Sequence, residues 1–167
     1  MIHVYTGAGK GKTTAALGLA LRAAGAGKKI YICQFVKGRE YCEQKSLKKF
    51  GNIKCEHFGR KCFIKSVPTR ADIELAKKGL KRIKQALARD KFDVIILDEI
   101  NIAVHFGLIT ADEVAKVIKS AKQETELVLT GRNARPQLLR LADLVTEMKE
   151  VKHYYNKGIK ARRGIEF

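Results

Sequence analysis

A glycine- and lysine-rich turn between a short apolar run and an alanine-rich stretch constrains this chain more than any other feature. The turn reads Thr6-Gly-Ala-Gly-Lys-Gly-Lys-Thr-Thr14, after Ile2–Tyr5 and before Thr14–Ala26. Glycines at Gly7, Gly9 and Gly11 let the backbone curl so that successive amides face one point. A helix starting near Lys12 would add its positive end, which suits a phosphate group. Lys12 offers a flexible positive charge for terminal phosphates, and Thr13 a hydroxyl suited to a Mg²⁺ ion. The expected phosphate contacts are therefore Gly7, Ala8, Gly9, Lys10, Gly11, Lys12, Thr13 and Thr14. The common phosphate-loop pattern opens with glycine, whereas this chain has Thr6. A glycine-rich surface turn is the plainer alternative, but it does not account for the strand–turn–helix setting.

The remaining pattern alternates strands and helices. Strand-like runs lie at Lys29–Val36, Ile53–Phe58, Phe92–Leu97, Leu127–Thr130 and Leu144–Met148. Phe92–Leu97 is nearly unbroken apolar sequence, as expected of a parallel strand covered on both faces. In the first helix Ala15, Leu19 and Arg22 fall on successive turns. After Pro68, the residues Ile73, Ala76, Leu80, Ile83 and Leu87 recur at helical steps, with Lys77, Lys78, Lys81 and Lys84 mostly on the opposite face. Thr110-Ala-Asp-Glu113 has the spacing of a capping box and opens a helix with Val114, Val117, Ile118 and Ala121 inward. The expectation is one α/β domain over residues 1–167, with a mostly parallel sheet flanked by helices on both faces.

In such sheets ligands bind beyond the carboxyl ends of the strands. Three polar groups stand there: the Gly7–Thr13 turn, Asp98-Glu99 and Thr130-Gly-Arg132. Asp98 and Glu99 are candidate metal carboxylates, acting directly or through water. Arg132 can neutralise phosphate charge with its planar fork.

Charge alone decides little. The chain carries 34 Lys+Arg against 17 Asp+Glu, a net +17. That balance allows a nucleic-acid partner, but the basic residues are scattered and fit a solvated surface better. No run of about 18 apolar residues or signal-like start is present, so no membrane span and a cytoplasmic location are expected. Cys33, Cys42, Cys55 and Cys62 form no CxxC pair and read as reduced thiols, with His57 the one nearby histidine.

These residues resemble one family, the P-loop ATP:corrinoid adenosyltransferases of cobalamin synthesis and salvage. The resemblance rests on the Thr6–Thr14 turn, whose leading threonine the family shares, and on Phe35-Val-Lys-Gly38 and Ile96-Leu-Asp-Glu99. It continues through Leu129-Thr-Gly-Arg132, Pro136, Ala142-Asp-Leu-Val-Thr-Glu-Met148, Lys152-His153, Gly158-Ile-Lys-Ala161 and Gly164-Ile-Glu-Phe167. It implies a RecA-like P-loop NTPase fold, usually a homodimer, that transfers the adenosyl group of ATP to a Co(I) corrinoid and releases triphosphate. ATP would sit in the reverse sense to kinases, with Gly7–Thr13 on the phosphates and Thr13 with Glu99 serving Mg²⁺. Lys12, Arg132 and Glu99 would be the catalytic residues, Arg22 would steady the triphosphate, and a flavodoxin-like protein is a candidate reductant. Where many members carry a Met-Gly…Phe-Thr-Trp stretch over the corrin ring, this chain reads His57-Phe-Gly-Arg-Lys-Cys-Phe-Ile-Lys65, without tryptophan. Phe63 is the candidate substitute for the family's aromatic residue. Two other readings remain: a kinase or ATP hydrolase with the ordinary orientation, and a nucleotide-gated nucleic-acid-binding module.

Overall fold

The computed structural model describes residues 1–37, 41–60, 67–89 and 91–167. The apolar runs form strands β1 (Ile2–Thr6), β2 (Ile30–Phe35), β3 (Ile53–Phe58), β4 (Val94–Asp98), β5 (Glu126–Thr130) and β6 (Leu144–Glu147). They make one sheet in the order β3-β2-β4-β5-β1-β6, parallel at every pairing. The connecting helices are α1 (Lys12–Gly25), α2 (Cys42–Leu47), α3 (Arg70–Arg89), α4 (Ile100–His105), α5 (Ala111–Lys119) and α6 (Pro136–Leu139). A 3-10 turn at Tyr154–Lys157 follows β6. Among the described residues no helix is long and apolar enough to cross a membrane.

Strand alternation sorts the core into two layers. Ile30, Ile32, Val94, Ile96 and Val128 pack with α1 on one face. Tyr31, Cys33, Phe35, Ile95, Leu97, Leu127 and Leu129 pack on the other with residues of α3, α4 and α5. Every residue of β2 and β4 is buried, which is why both read as nearly continuous apolar runs.

The buried stripe of α1 is Ala16, Ala20 and Ala23, in line with Lys12. Of the residues the spacing marked, Ala15 and Arg22 lie exposed, and only Leu19, half-buried, packs against the edge of this core layer. Methyl-sized side chains let the helix lie close to the sheet, and an alanine-rich helix shows too little contrast to mark its inner face. The capping box forms as the spacing predicts: the Glu113 amide donates to Thr110 Oγ1 at 3.1 Å and the Thr110 amide to Glu113 Oε2 at 2.8 Å.

In α3, Gly79 faces the sheet, and a Cβ there would lie 2.9 Å from a Phe35 ring carbon and 3.0 Å from Phe58. Gly79→Ala should therefore lower stability by about 1–2 kcal/mol, overpacking of about 1–3 kcal/mol less the helix propensity alanine gains. Urea unfolding checks this. A midpoint at or above wild type would show that the two rings yield without strain.

Candidate active site at the strand ends

The carboxyl ends of β1, β2, β4 and β5 converge. β1 opens at Thr6 into the glycine turn, where Gly7 has φ 96° and a Cβ would sit 2.5 Å from the Met148 carbonyl oxygen. A left-handed, side-chain-free residue is required at that approach. Thr6, the departure from the usual pattern, accepts a 3.4 Å hydrogen bond at Oγ1 from the Ala134 amide, which ties the turn to the segment after β5.

Lys12 is the first residue of α1 and is 7% exposed. Its ammonium donates to the carbonyls of Gly7 (2.8 Å) and Gly9 (2.6 Å), folding back inside the turn. Burial lowers its pKa, Glu99 raises it, and Arg132 lowers it further, with a net fall.

Asp98, at the end of β4, is 1% exposed and is the hub. Its Oδ1 accepts from the hydroxyls of Thr13 (2.8 Å) and Thr130 (2.7 Å). Its Oδ2 accepts from Lys37 Nζ (2.7 Å) and Gln34 Nε2 (3.1 Å). Burial pushes the carboxyl upward, but the Lys37 ammonium and the hydrogen bonds from Lys37, Thr130 and Thr13 outweigh it and hold Asp98 below the usual aspartate range. Lys37 is held up by the same pair, which overcomes the opposing effect of its own burial. Gln44 in α2 donates to the Gln34 side-chain oxygen, extending the network to the next helix.

Glu99 behaves differently. It takes a left-handed conformation (φ 61°) at the N-cap of α4, and its amide donates to Thr130 Oγ1 at 2.9 Å. Among the described residues none hydrogen-bonds its carboxylate. Burial, reinforced by the charge of Asp98, raises its pKa against the pull of Lys37, Lys12 and Arg132. The residues alone make both Asp98 and Glu99 candidate metal carboxylates, while the family resemblance gives the Mg²⁺ to Glu99 with Thr13. The structure divides them, with Asp98 fully committed to protein donors and Glu99 open.

Thr13, Lys12, Asp98 and Glu99 are thus brought together, with Arg132 beside them in the exposed turn after β5. Ala8 and Thr14 are exposed at the loop, while the Lys10 ammonium turns away to the segment after β6. Arg22 does not join them. It stands exposed in the last turn of α1, about 15 Å along the helix axis from Lys12 at 1.5 Å per residue. Phe63 and Cys62 lie outside the described residues. Cys33 is fully buried in the core; burial, then the charges of Asp98 and Glu43, pushes the Cys55 thiol up to about 12. Such thiols favour packing over reactivity. Gln34 and Lys37 are site residues that the sequence reading missed; a glutamine inside an apolar strand is the available signal.

The chain is similar to known proteins along its whole length. The chain matches the family described as ATP:corrinoid adenosyltransferase BtuR/CobO/CobP over residues 1–167. It is 37% identical over 172 residues to a corrinoid adenosyltransferase of Sinorhizobium sp, covering 100% of this chain and 80% of that one. It is 32% identical over 167 residues to the corrinoid adenosyltransferase of Escherichia coli K12, covering 100% and 85%. The fold resembles the solved structure of a KaiC-like protein from Pyrococcus horikoshii OT3, with TM-score 0.58 at 14% identity over 90% of this chain and 73% of that chain. A glycine turn backed by a shared aspartate hub, on a RecA-like parallel sheet and with similarity along the whole chain, has one outcome: the chain belongs to the ATP:corrinoid adenosyltransferase family.

Proposed function

We propose that this chain transfers the 5′-deoxyadenosyl group of ATP to the Co(I) centre of a corrinoid and releases triphosphate. The observation that carries this is the junction of Lys12 and Thr13 with the Asp98–Glu99 pair, in a chain matched by the family along its full length. In the reaction, reduced cobalt donates an electron pair to the 5′ carbon of ATP. The carbon–oxygen bond breaks, its electrons leave with triphosphate, and a cobalt–carbon bond forms. The substrate supplies the nucleophile, so the protein needs to supply none.

The chain's residues then have two tasks, holding ATP in line with cobalt and stabilising charge that gathers on the leaving triphosphate. Lys12 and Arg132 carry the positive charge, and the turn amides between Gly7 and Thr13 cradle the phosphates, except that of Gly9, which the sequence reading counts among the phosphate contacts and which donates to the Met148 carbonyl instead. Lys12 must leave the Gly7 and Gly9 carbonyls to do so, and phosphate oxygens are the stronger acceptors. A Mg²⁺ ion fits Thr13 and Glu99. The Thr13 proton is committed to Asp98, leaving oxygen lone pairs for a cation, and Glu99 is a carboxylate that none of the described residues hydrogen-bonds. When bound, such an ion would neutralise part of the triphosphate charge.

The family resemblance also supports a homodimer, a cytoplasmic setting and a flavodoxin-like electron donor. Phe63 is the proposed cover for one corrin face. Both an early cobyrinic acid diamide and a later cobamide suit this reading as substrate. The test is an anaerobic assay with ATP, Mg²⁺ and chemically reduced corrinoid. A light-sensitive adenosyl product and corrinoid-dependent triphosphate are expected. ADP released without any corrinoid would replace this reading with a kinase or ATP hydrolase.

A further inference from the structure

Residues after β6 meet the glycine turn at two points. At the first, the β1–β6 ladder runs on past the strands: the Met148 amide donates to the Thr6 carbonyl (2.9 Å), and the Gly9 amide to the Met148 carbonyl (2.7 Å). Gly9's amide therefore faces the protein, not the side where phosphate would bind. At the second, the chain passes through the 3-10 turn and comes back to Lys10. There Lys10 Nζ donates to Tyr154 Oη (2.9 Å), Glu166 Oε1 (2.9 Å) and the Ile165 carbonyl (3.2 Å). An ammonium has three protons, and these three acceptors account for all of them.

Glu166 is the centre of this second contact. Besides Lys10 it accepts from the Tyr154 hydroxyl, from the Arg162 amide at 2.6 Å and from Arg162 Nη2 at 3.4 Å. The Arg162 guanidinium lies 4.8 Å from the centre of the Tyr154 ring, within cation–π reach. An isolated surface ion pair holds little, but a hub with several charge-assisted donors fixes geometry better. Only 17% of the Glu166 side chain is exposed.

We propose that Lys10, Tyr154, Arg162 and Glu166 form a positioning clasp, through which the segment after β6 sets the shape of the phosphate turn and so its affinity for triphosphate. This rests on the function proposed above. Lys10 then acts on ATP through the backbone it anchors, not by touching phosphate. With Met148 holding Gly9 and the clasp holding Lys10, the outer side of the turn is fixed before ligand arrives, and less order has to be imposed on binding.

The test is ATP affinity, by calorimetry with Mg²⁺, for wild type, Lys10→Ala, Glu166→Ala and the double variant, alongside kcat and corrinoid KM. Each single change should raise the ATP Kd about tenfold, as loss of charge-assisted hydrogen bonds does. The double variant should be no weaker than the worse single, because both remove one unit. Corrinoid KM should stay near wild type, and Lys10→Arg, which can donate to the same acceptors, should recover most of the affinity. Tyr154→Phe removes one hydroxyl while keeping the ring and serves if Glu166→Ala does not fold; a smaller rise in Kd is expected. Wild-type affinity in Glu166→Ala, or in Tyr154→Phe where that variant stands in, overturns the clasp, as do losses that multiply in the double variant. A wild-type protein that binds no ATP sinks the phosphate-turn reading and the clasp with it.

Discussion

Lys12→Ala should remain folded and lose adenosyl-transfer turnover by about 10²- to 10³-fold or more, the range seen when one preorganised group facing developing charge is removed. Two facts set the direction. Lys12 heads α1 inside the glycine turn, where its charge would meet the leaving triphosphate. It is also an ammonium held against burial, with its pKa lowered for that reason, so its removal takes away a desolvated charge. Stability in urea without ligand should therefore match or exceed wild type while turnover collapses. Near wild-type turnover would remove Lys12 from the mechanism; a parallel fall in stability would make its role structural.

Asp98→Ala should be the most damaging single change to the fold, costing about 3–5 kcal/mol, because it takes the hydrogen-bonded counter-charge from the mostly buried Lys37 ammonium and leaves it only the more distant Glu43 carboxylate at 3.8 Å. The hydroxyls of Thr13 and Thr130 and the Gln34 amide lose their shared acceptor in the same step. The sign with pH follows from the depressed Asp98 pKa. The carboxylate's contribution is complete above the unfolded value of about 3.9 and is lost as pH falls through the lower folded value. The deficit of the variant should thus persist through neutral pH and shrink only in acid. Chemical denaturation across pH checks both parts. Adding Lys37→Met should recover some stability, since an apolar stem replaces the stranded charge; an unchanged midpoint in Asp98→Ala alone would refute the hub.

The strands were legible because parallel strands buried on both faces leave runs such as Ile30–Phe35 and Val94–Asp98 with little polar interruption. Helix α3 and the capping box of α5 were legible too, through apolar spacing and a local side-chain exchange. Helices α2, α4 and α6 were not, since six, six and four residues are too few for a period to emerge. At the site, the turn, Asp98, Glu99 and Arg132 stood out by type and position. Residue types alone could not supply the reason Asp98 and Glu99 differ, which depends on where Lys37, Gln34 and Thr130 point. Nor could it reveal that Lys10 spends its protons on residues about 150 positions away, 144 to Tyr154 and 156 to Glu166. Long-range pairing leaves no local pattern.

Order of synthesis acquires a meaning from the place of β1 in the sheet. β1 emerges first, yet its neighbours are β5 and β6, and the Ile2 amide waits for the Asp143 carboxylate 141 residues later. At about 5–20 residues per second, the opening strand spends on the order of ten seconds without either companion. Its bare edge is a target for wrong pairing throughout that interval. Nucleotide cannot rescue such an intermediate, since the cradle that would seize it is finished only when the final strand docks; fragments stopping short of Leu144 should emerge unable to hold ATP.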